Sequence, residues 1–400
     1  VISTKLKTEP SLAEFVIIIS MMMSLTALSI DAMLPALPQI GADLKVQNDN
    51  NRQLVVSAIF LGLAAGQLFF GPLSDKTGRK PAICGGLSLY IVGALVSIFS
   101  INFPMMLAGR LLQGAGVSAP RAVGLALVRD RYEGRAMARV MSFVMTIFIL
   151  VPMIAPTFGQ ALLYFTGWRS IFGSFILLAL ITSGWFALRM PETLAPENRA
   201  PFSLQRIVSA TREILRTRPA IGYTVTAGLI SGAHLGYLST SQQIFQEQYG
   251  LGDRFPSYFA IIALSIGLAS FLNTRLVMRF GMRFLVRWSL AAILVLAVMT
   301  LLISLLTAGQ PPLWLLMAYL MMTFFGIGVL FGNQNSLAME PLGHIAGIGA
   351  AMVGSLATFI SVPMGTIIGQ SYNGTIIPLV AGIAIMASLS LAIVRWIESG

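Results

Sequence analysis

The chain has 400 residues, 56% of them hydrophobic and only 10% charged, with a formal net charge of +11 and a mean hydropathy of +0.82. Average soluble domains carry about 25% charged residues, so this chain has too little polar surface to cover a water-soluble globule, and lipid must cover part of it. The basic excess does not point to nucleic acid either: such a binder gathers its positive residues on one face of a soluble domain, whereas here they punctuate apolar runs. Lys5 and Lys7 precede an apolar run that starts at Phe15 and continues past Ile30. That is longer than the ~7–15 residues of a signal-peptide core, so it reads as a first membrane helix. A spanning helix needs ~20 mostly apolar residues. Twelve segments qualify, at about 13–36, 53–73, 82–102, 104–128, 138–162, 168–188, 220–245, 255–275, 284–307, 312–335, 345–370 and 374–396.

The loops fix the orientation. Of the 26 Lys and Arg, 20 fall in the N-terminal tail, in the loops after spans two, four, six and eight, or in the C-terminal tail. Only Lys45, Arg52, Arg169 and Arg254 fall on the opposite side, and Arg110 and Arg121 lie inside span four. By the positive-inside rule both termini are cytoplasmic. The longest loop, 189–219, is charged and carries Pro191, Pro196, Pro201 and Pro219. It divides the chain into six spans in 1–188, a cytoplasmic linker in 189–219 and six spans in 220–400. Duplicated halves are the architecture of many secondary transporters. Gly78, between spans two and three, and Gly281, between spans eight and nine, occupy corresponding places beside basic residues, although the second loop lacks the first one's acid.

Several short patterns sharpen this. Gly71, Asp75, Lys76, Gly78, Arg79 and Lys80 fit G-x-x-x-D-[RK]-x-G-R-[RK] after span two. With the six-plus-six pattern, this resembles the major facilitator superfamily. Leu28-Ser29-Ile30-Asp31 followed by Leu34-Pro35-Ala36-Leu37-Pro38 is similar to span one of the drug:proton antiporters of the bicyclomycin-resistance (Bcr/CflA) type. Arg110-Leu111-Leu112-Gln113-Gly114-Ala115-Gly116 resembles the R-x-x-Q-G-x-G pattern of drug antiporters. Pro152, Ala155, Pro156 and Gly159 resemble the span-five antiporter motif, with Ala155-Pro156 where the motif has Gly-Pro and Gln160 at its final glycine. Trp168-Arg169 and Pro191-Glu192-Thr193-Leu194 are also similar to that subfamily. The resemblance implies an all-α integral membrane protein of twelve helices in two pseudo-symmetric six-helix bundles around a central cavity, in a bacterial inner membrane.

Among the acidic residues only Asp31 lies well inside a span. An intramembrane carboxylate is costly and by default a functional-site hypothesis; a static ion pair pinning span one is the alternative. Desolvation favours its neutral form and a nearby cation its charged form, so a carboxyl between those influences can load and release a proton. Arg110 is the expected partner. Asp31 lies ~27 Å along span one and Arg110 ~9 Å into span four, which places both in the outer third of a ~30 Å core. Arg121 follows Arg110 by three turns plus about 20°. The two arginines therefore share a face with Gln113, Gly114, Val117 and Ser118, a face suited to lining a water-filled cavity; snorkelling of Arg121 to the interface is the other reading. A cavity holding both arginines would carry +1 or +2 and favour neutral, zwitterionic or anionic amphiphiles over dications. His234, Tyr237, Gln242 and Gln243 could join that cavity or sit in a hydrogen-bonded core.

The charged loop needs another role. The family reading is a conformational lock: Asp75 reaching the start of span eleven and Arg79 pairing with an acid such as Asp130, with Gly71 and Gly78 as further members of the motif. Pro152 and Pro156 are expected to kink span five.

Other signals are excluded. Cys84 is the single cysteine and permits no intrachain disulfide or Cys-x-x-Cys site, and His234 and His344 form no metal-ligand pair. Gly114 to Ala119 fits G-x-G-x-x-A formally but lies within a span, not after a strand. There is no phosphate-binding loop and hence no ATP motor, and the sequon at Asn373 matters only in a secretory pathway. The expected function is therefore non-enzymatic. It is proton-coupled multidrug efflux of amphipathic small molecules by alternating access, driven by the proton gradient without a cofactor, by a monomer that binds no nucleic acid. The alternative is a metabolite facilitator or proton symporter, for a sugar or organic acid, of the same fold.

Overall fold

The computed structural model describes residues 10–399, so Lys5 and Lys7 lie outside the described residues. Twelve helices of 20 residues or more carry the fold: α1 Leu12–Asp31, α2 Leu54–Thr77, α3 Arg79–Ile98, α4 Phe103–Arg131, α5 Gly134–Thr166, α6 Trp168–Arg189, α7 Arg218–Gln242, α8 Phe255–Phe280, α9 Met282–Leu306, α10 Leu313–Met339, α11 Ala346–Gln370 and α12 Ile377–Glu398. Ten stretches are long and apolar enough to cross a membrane, and one of them, Leu313–Gln370, contains both α10 and α11. The helix missing from that set is α7, whose Thr224, Thr226, His234, Ser239, Thr240, Ser241 and Gln242 make it more polar than its neighbours. Almost all of α7 is buried inside the protein, where the hydroxyls of Thr224, Thr226, Thr240 and Ser241 bond to carbonyls of their own helix.

Three differences from the expected spans have local causes. The first span does not run to residue 36. It ends at Asp31, passes through the 3-10 turn Leu34–Ala36 and resumes as the short helix Leu37–Asp43. Pro35 has no N–H for the carbonyl of Asp31, four residues back, and Pro38 has none for Leu34. By contrast, α5 runs as one 33-residue helix through Pro152 and Pro156. The stretch 189–219, read above as loop, contains an amphipathic helix, Leu204–Arg216, whose first turn is capped by the Ser203 hydroxyl accepting from the Arg206 N–H at 3.2 Å.

The helices form two bundles, α1–α6 and α7–α12, which meet where α2 lies along α11 and α5 along α8. Within the first bundle α5 closes on α1 at Gly159: a Cβ there would overlap the Ala32 carbonyl. This motif glycine thus fits where α1 breaks off.

Candidate functional site

Asp31 sits at the broken end of α1, where the proline-rich turn leaves the helix. Its side chain is 5% exposed and makes no hydrogen bond or ion pair with any described residue. Its carboxylate borders a cavity of about 100 Å³ between the bundles, whose other walls include Phe148 and Pro152 of α5, His234 and Tyr237 of α7, Phe259 of α8 and Phe324 of α10. The rings are packed on one another: Tyr237 lies 4.5 Å from Phe324 and stacks on Phe259 at 5.8 Å, and His234 lies 5.5 Å from Phe324 and 5.9 Å from Phe331. His234 Nδ1 and the Tyr237 hydroxyl are buried with no partner among the described residues. An enclosure of aromatic faces with one unpaired carboxylate and two unsatisfied polar atoms is suited to hold an apolar molecule that carries a few polar groups.

The expected ion pair between Asp31 and Arg110 is not formed. Arg110 is fully buried, and its guanidinium donates to the Ser29 carbonyl at 2.7 Å, the Gln113 side-chain oxygen at 2.9 Å and the Val55 carbonyl at 3.2 Å. Its remaining face lies over the Phe172 ring at 5.6 Å, a cation–π contact with α6. Depth alone suggested the pairing, and the depth is right. Asp31, however, is two residues beyond Ser29, about 200° further round α1, so its side chain leaves the helix on the side away from Arg110. The Tyr90 hydroxyl meets that of Ser29 at 2.5 Å, which completes the polar knot within the first bundle.

The shared arginine face of α4 likewise does not line the cavity. Gln113, Val117 and Ser118 are fully buried; Gln113 holds Arg110, and Ser118 packs so close to α2 that a Cβ on Gly66 would overlap its hydroxyl. Arg121 is solvent-accessible yet lies deep within the protein, makes no hydrogen bond or ion pair with described residues, and is not among the residues lining this pocket. On the wall of this pocket the charged residue is Asp31.

Two polar clusters lie at opposite ends. On the face opposite the basic loops, Arg52 donates to Glu247 at 2.5 Å across the bundles, and Gln53 bonds to Gln243. Beside them the Asn50 side chain donates to the carbonyls of Gln370 and Tyr372 at 3.1 and 2.8 Å, and Gln370 returns a bond to the Asn50 carbonyl at 2.9 Å. Gln160 reaches Asp253 at 3.1 Å. These bonds join the turn Asp49–Gln53 before α2 to the segment Gln243–Gln248 after α7 and to the end of α11, and join α5 to the turn before α8, and so seal that face. Gln243, a candidate for the cavity, belongs to this seal.

At the basic face, Arg79 binds Asp75 at 2.5 Å, Asp130 at 3.0 Å and the Ser74 hydroxyl at 2.9 Å. The pairing of Arg79 with Asp130 is as expected; that of Asp75 with α11 is not made. The Asp75 carboxylate is engaged within its own bundle, and Asp75 lines a cleft of about 450 Å³ opposite Ala346, Gly347 and Ile348 at the start of α11. Gly78, at φ +104°, ends α2 and lets α3 begin at the next residue.

Sequence reasoning missed the residue that caps this turn. Glu192 accepts the backbone N–H groups of Arg79 at 2.9 Å and Lys80 at 3.0 Å, and also those of Thr193 and Leu194. It satisfies the orphan donors at the start of α3 from 112 residues away. Burial pushes its carboxyl up, but the four N–H bonds outweigh this and hold it below the ordinary 4.5. Thr193 adds a 3.0 Å bond to Asp130. The signal was in the Pro191–Leu194 match, which carried a resemblance but no role.

A profile described as Major Facilitator Superfamily matches residues 17–362. A Bacillus subtilis (strain 168) protein named uncharacterized MFS-type transporter YdgK is 32% identical over 88% of this chain and 87% of its own length. The bicyclomycin resistance protein homolog of Haemophilus influenzae is 28% identical over 91% of each chain. The structure of the xylose transporter XylE from E. coli, in a partially occluded inward-open conformation, superimposes with a TM-score of 0.70 over 97% of both chains at 14% identity. That likeness bears on the fold.

Proposed function

Because this chain belongs to the major facilitator superfamily of transporters, we propose that it exports lipophilic small molecules in exchange for protons, with Asp31 as the shared site. The observation that carries this reading is the unpaired Asp31 carboxylate on the wall of an aromatic cavity between the two bundles. A proton and a cationic cargo both neutralise that carboxylate, so they compete for it. Competition at one group couples two flows without any direct contact between them. The Haemophilus influenzae relative named for bicyclomycin resistance supports the drug-efflux side of the reading.

The cavity chemistry favours monocationic, aromatic-compatible amphiphiles. One carboxylate offsets one charge, and the Phe and Tyr faces add cation–π attraction. A dication would bring a second charge out of water with no partner, at a cost of several kcal/mol, so dications should be poor cargo. The basic face is the cytoplasmic one in a bacterial inner membrane, with both termini there, and the protein works as a monomer. With the opposite face sealed by Arg52–Glu247 and its amide neighbours, the conformation is one that would exchange cargo with the cytoplasm. Asp75, drawn back to Arg79, is free to reach α11 when the basic face closes.

The test is substrate-triggered proton movement in proteoliposomes, for wild type and Asp31→Asn. Antiport at Asp31 requires that wild type move protons when a lipophilic monocation is added and that the variant not do so. Substrate flux with no proton movement in wild type would instead identify a facilitator and leave Asp31 a structural residue.

A further inference from the structure

We propose that the helix Leu204–Arg216, between the two bundles, docks on the bilayer surface and binds anionic phospholipid headgroups. This does not depend on the cargo or on proton coupling.

The helix has two apolar faces. One is occupied: Ala210 is 3% exposed and Ile214 fully buried, the Thr211 hydroxyl meets Met352 of α11, and Glu213 pairs with His344 at 2.7 Å. The other is bare. Leu204 and Val208 are each 64% exposed and Leu215 is 55% exposed. Their spacing of four and seven residues puts them on one stripe, about a third of a turn from the buried one at 100° per residue. A helix held against the flank of a membrane bundle meets protein on one side and lipid roughly a quarter to a third of a turn away, with water over the rest. The pattern here matches that surrounding and differs from a helix in open solvent, where a second apolar stripe has no partner.

The charges agree. Arg212 and Arg216 border the bare stripe on its solvent side; both are exposed and form no ion pair with described residues. Guanidinium groups beside a shallow apolar stripe are the arrangement that binds an interfacial helix to an anionic membrane. Chain continuity places the helix at the right depth. It ends at Arg216, and α7 enters the membrane two residues later at Arg218, whose guanidinium lies 4.6 Å over the Trp396 ring and donates to the Trp396 carbonyl at the end of α12. Trp and Arg together mark the headgroup level, so the last turn, with Leu215 and Arg216, lies beside lipid phosphates. A soluble protein could cover three apolar side chains, but the membrane is the apolar surface that is always within their reach.

The experiment places a single cysteine on the bare stripe, Val208→Cys in a Cys84→Ser background, with Leu204→Cys as a second position and Gln205→Cys on the solvent side. An environment-sensitive fluorophore at each is read in nanodiscs of neutral lipid and of neutral lipid mixed with phosphatidylglycerol. Quenching by a lipid with a shallow nitroxide should be at least about twofold stronger at 208 and 204 than at 205, and stronger in anionic discs. Adding Arg212→Gln and Arg216→Gln should remove the difference between the two lipid compositions. Equal quenching by aqueous iodide at all three positions, with no response to the lipid quencher, would overturn the proposal. So would protection of 208 and 204 from both quenchers, which would show a protein on the stripe.

Discussion

The α2–α3 turn and the α8–α9 turn hold equivalent places in the two bundles, and they solve one backbone problem with different chemistry. Each turns on a single glycine in the left-handed region, Gly78 at φ +104° and Gly281 at φ +80°, and each sends an arginine to an acid at the end of the next even-numbered helix. In the first bundle, Arg79 and Asp130 meet at 3.0 Å with side chains 11% and 21% exposed, and Asp75, Thr193 and Glu192 complete the network. In the second, Arg283 and Glu340 meet at 3.4 Å with side chains 65% and 56% exposed. Met278, 86% exposed, stands where Asp75 would be. An exposed ion pair is worth about 0–1 kcal/mol. A partly buried network in which each charge has several partners is more costly to disturb. The two halves therefore share the hinge geometry, while the binding chemistry is concentrated in one.

The contrast can be broken most directly at its arginines. Arg79→Ala leaves Asp75 and Asp130 near each other without a cation, and the initial rate of export in proteoliposomes should fall by about tenfold or more. Arg283→Ala should change it less than about twofold. Similar losses in both variants would mean that the two turns act alike.

The glycines sharpen the comparison. Alanine at either position meets the backbone penalty of positive φ with ψ near 160°, about 1–3 kcal/mol. At Gly78 the new methyl also strikes the Glu192 carboxylate, whereas at Gly281 it meets open space. Gly78→Ala should therefore lower the thermal midpoint in detergent by several degrees more than Gly281→Ala.

The smallest effect is a pH dependence confined to the first turn. Glu192 has a folded-state pKa below its ordinary 4.5. Between those two values the unfolded chain binds more protons than the folded one, so stability falls as pH falls. The contribution of Glu192 is fully present above pH 4.5 and is lost as pH drops through the folded-state value. Glu192→Gln should flatten the midpoint-versus-pH curve in that acid range and leave its slope near neutrality unchanged.

Most of the architecture was legible because it is written in run lengths and loop charges, which depend on the bilayer more than on packing. The tight glycine turns and the pairing of Arg79 with Asp130 were also readable, since spacing fixes them. The partners of Asp31 and Arg110 were not. Depth along a helix follows from counting, but which way a side chain leaves it depends on where the helix breaks and how it is rotated. Pro35 and Pro38 gave a sign of that break, yet they were absorbed into the family pattern. The aromatic cavity walls were hidden for another reason: Phe148, Phe259 and Phe324 belong to three different helices, and nothing in a chain rich in phenylalanine singles them out. The helix Leu204–Arg216 was obscured by the prolines around it, although its own residues are good helix formers.

The polar bonds that seal the face opposite the basic loops are made by amides and, among the described residues, by the ion pair of Arg52 and Glu247. When such a surface parts, each amide bond between the bundles is replaced by one to water, at a net cost of about 0.5–1.5 kcal/mol apiece. A greasy seal would resist wetting at about 25 cal/mol for every Å² uncovered. A gate of this kind behaves like a zip that water itself can undo, tooth by tooth, so a transporter closed in this way can open with no large barrier from those bonds. The hold on that face is then governed chiefly by the charged tooth, Arg52 and Glu247, and by what sits on the carboxylate in the cavity beneath.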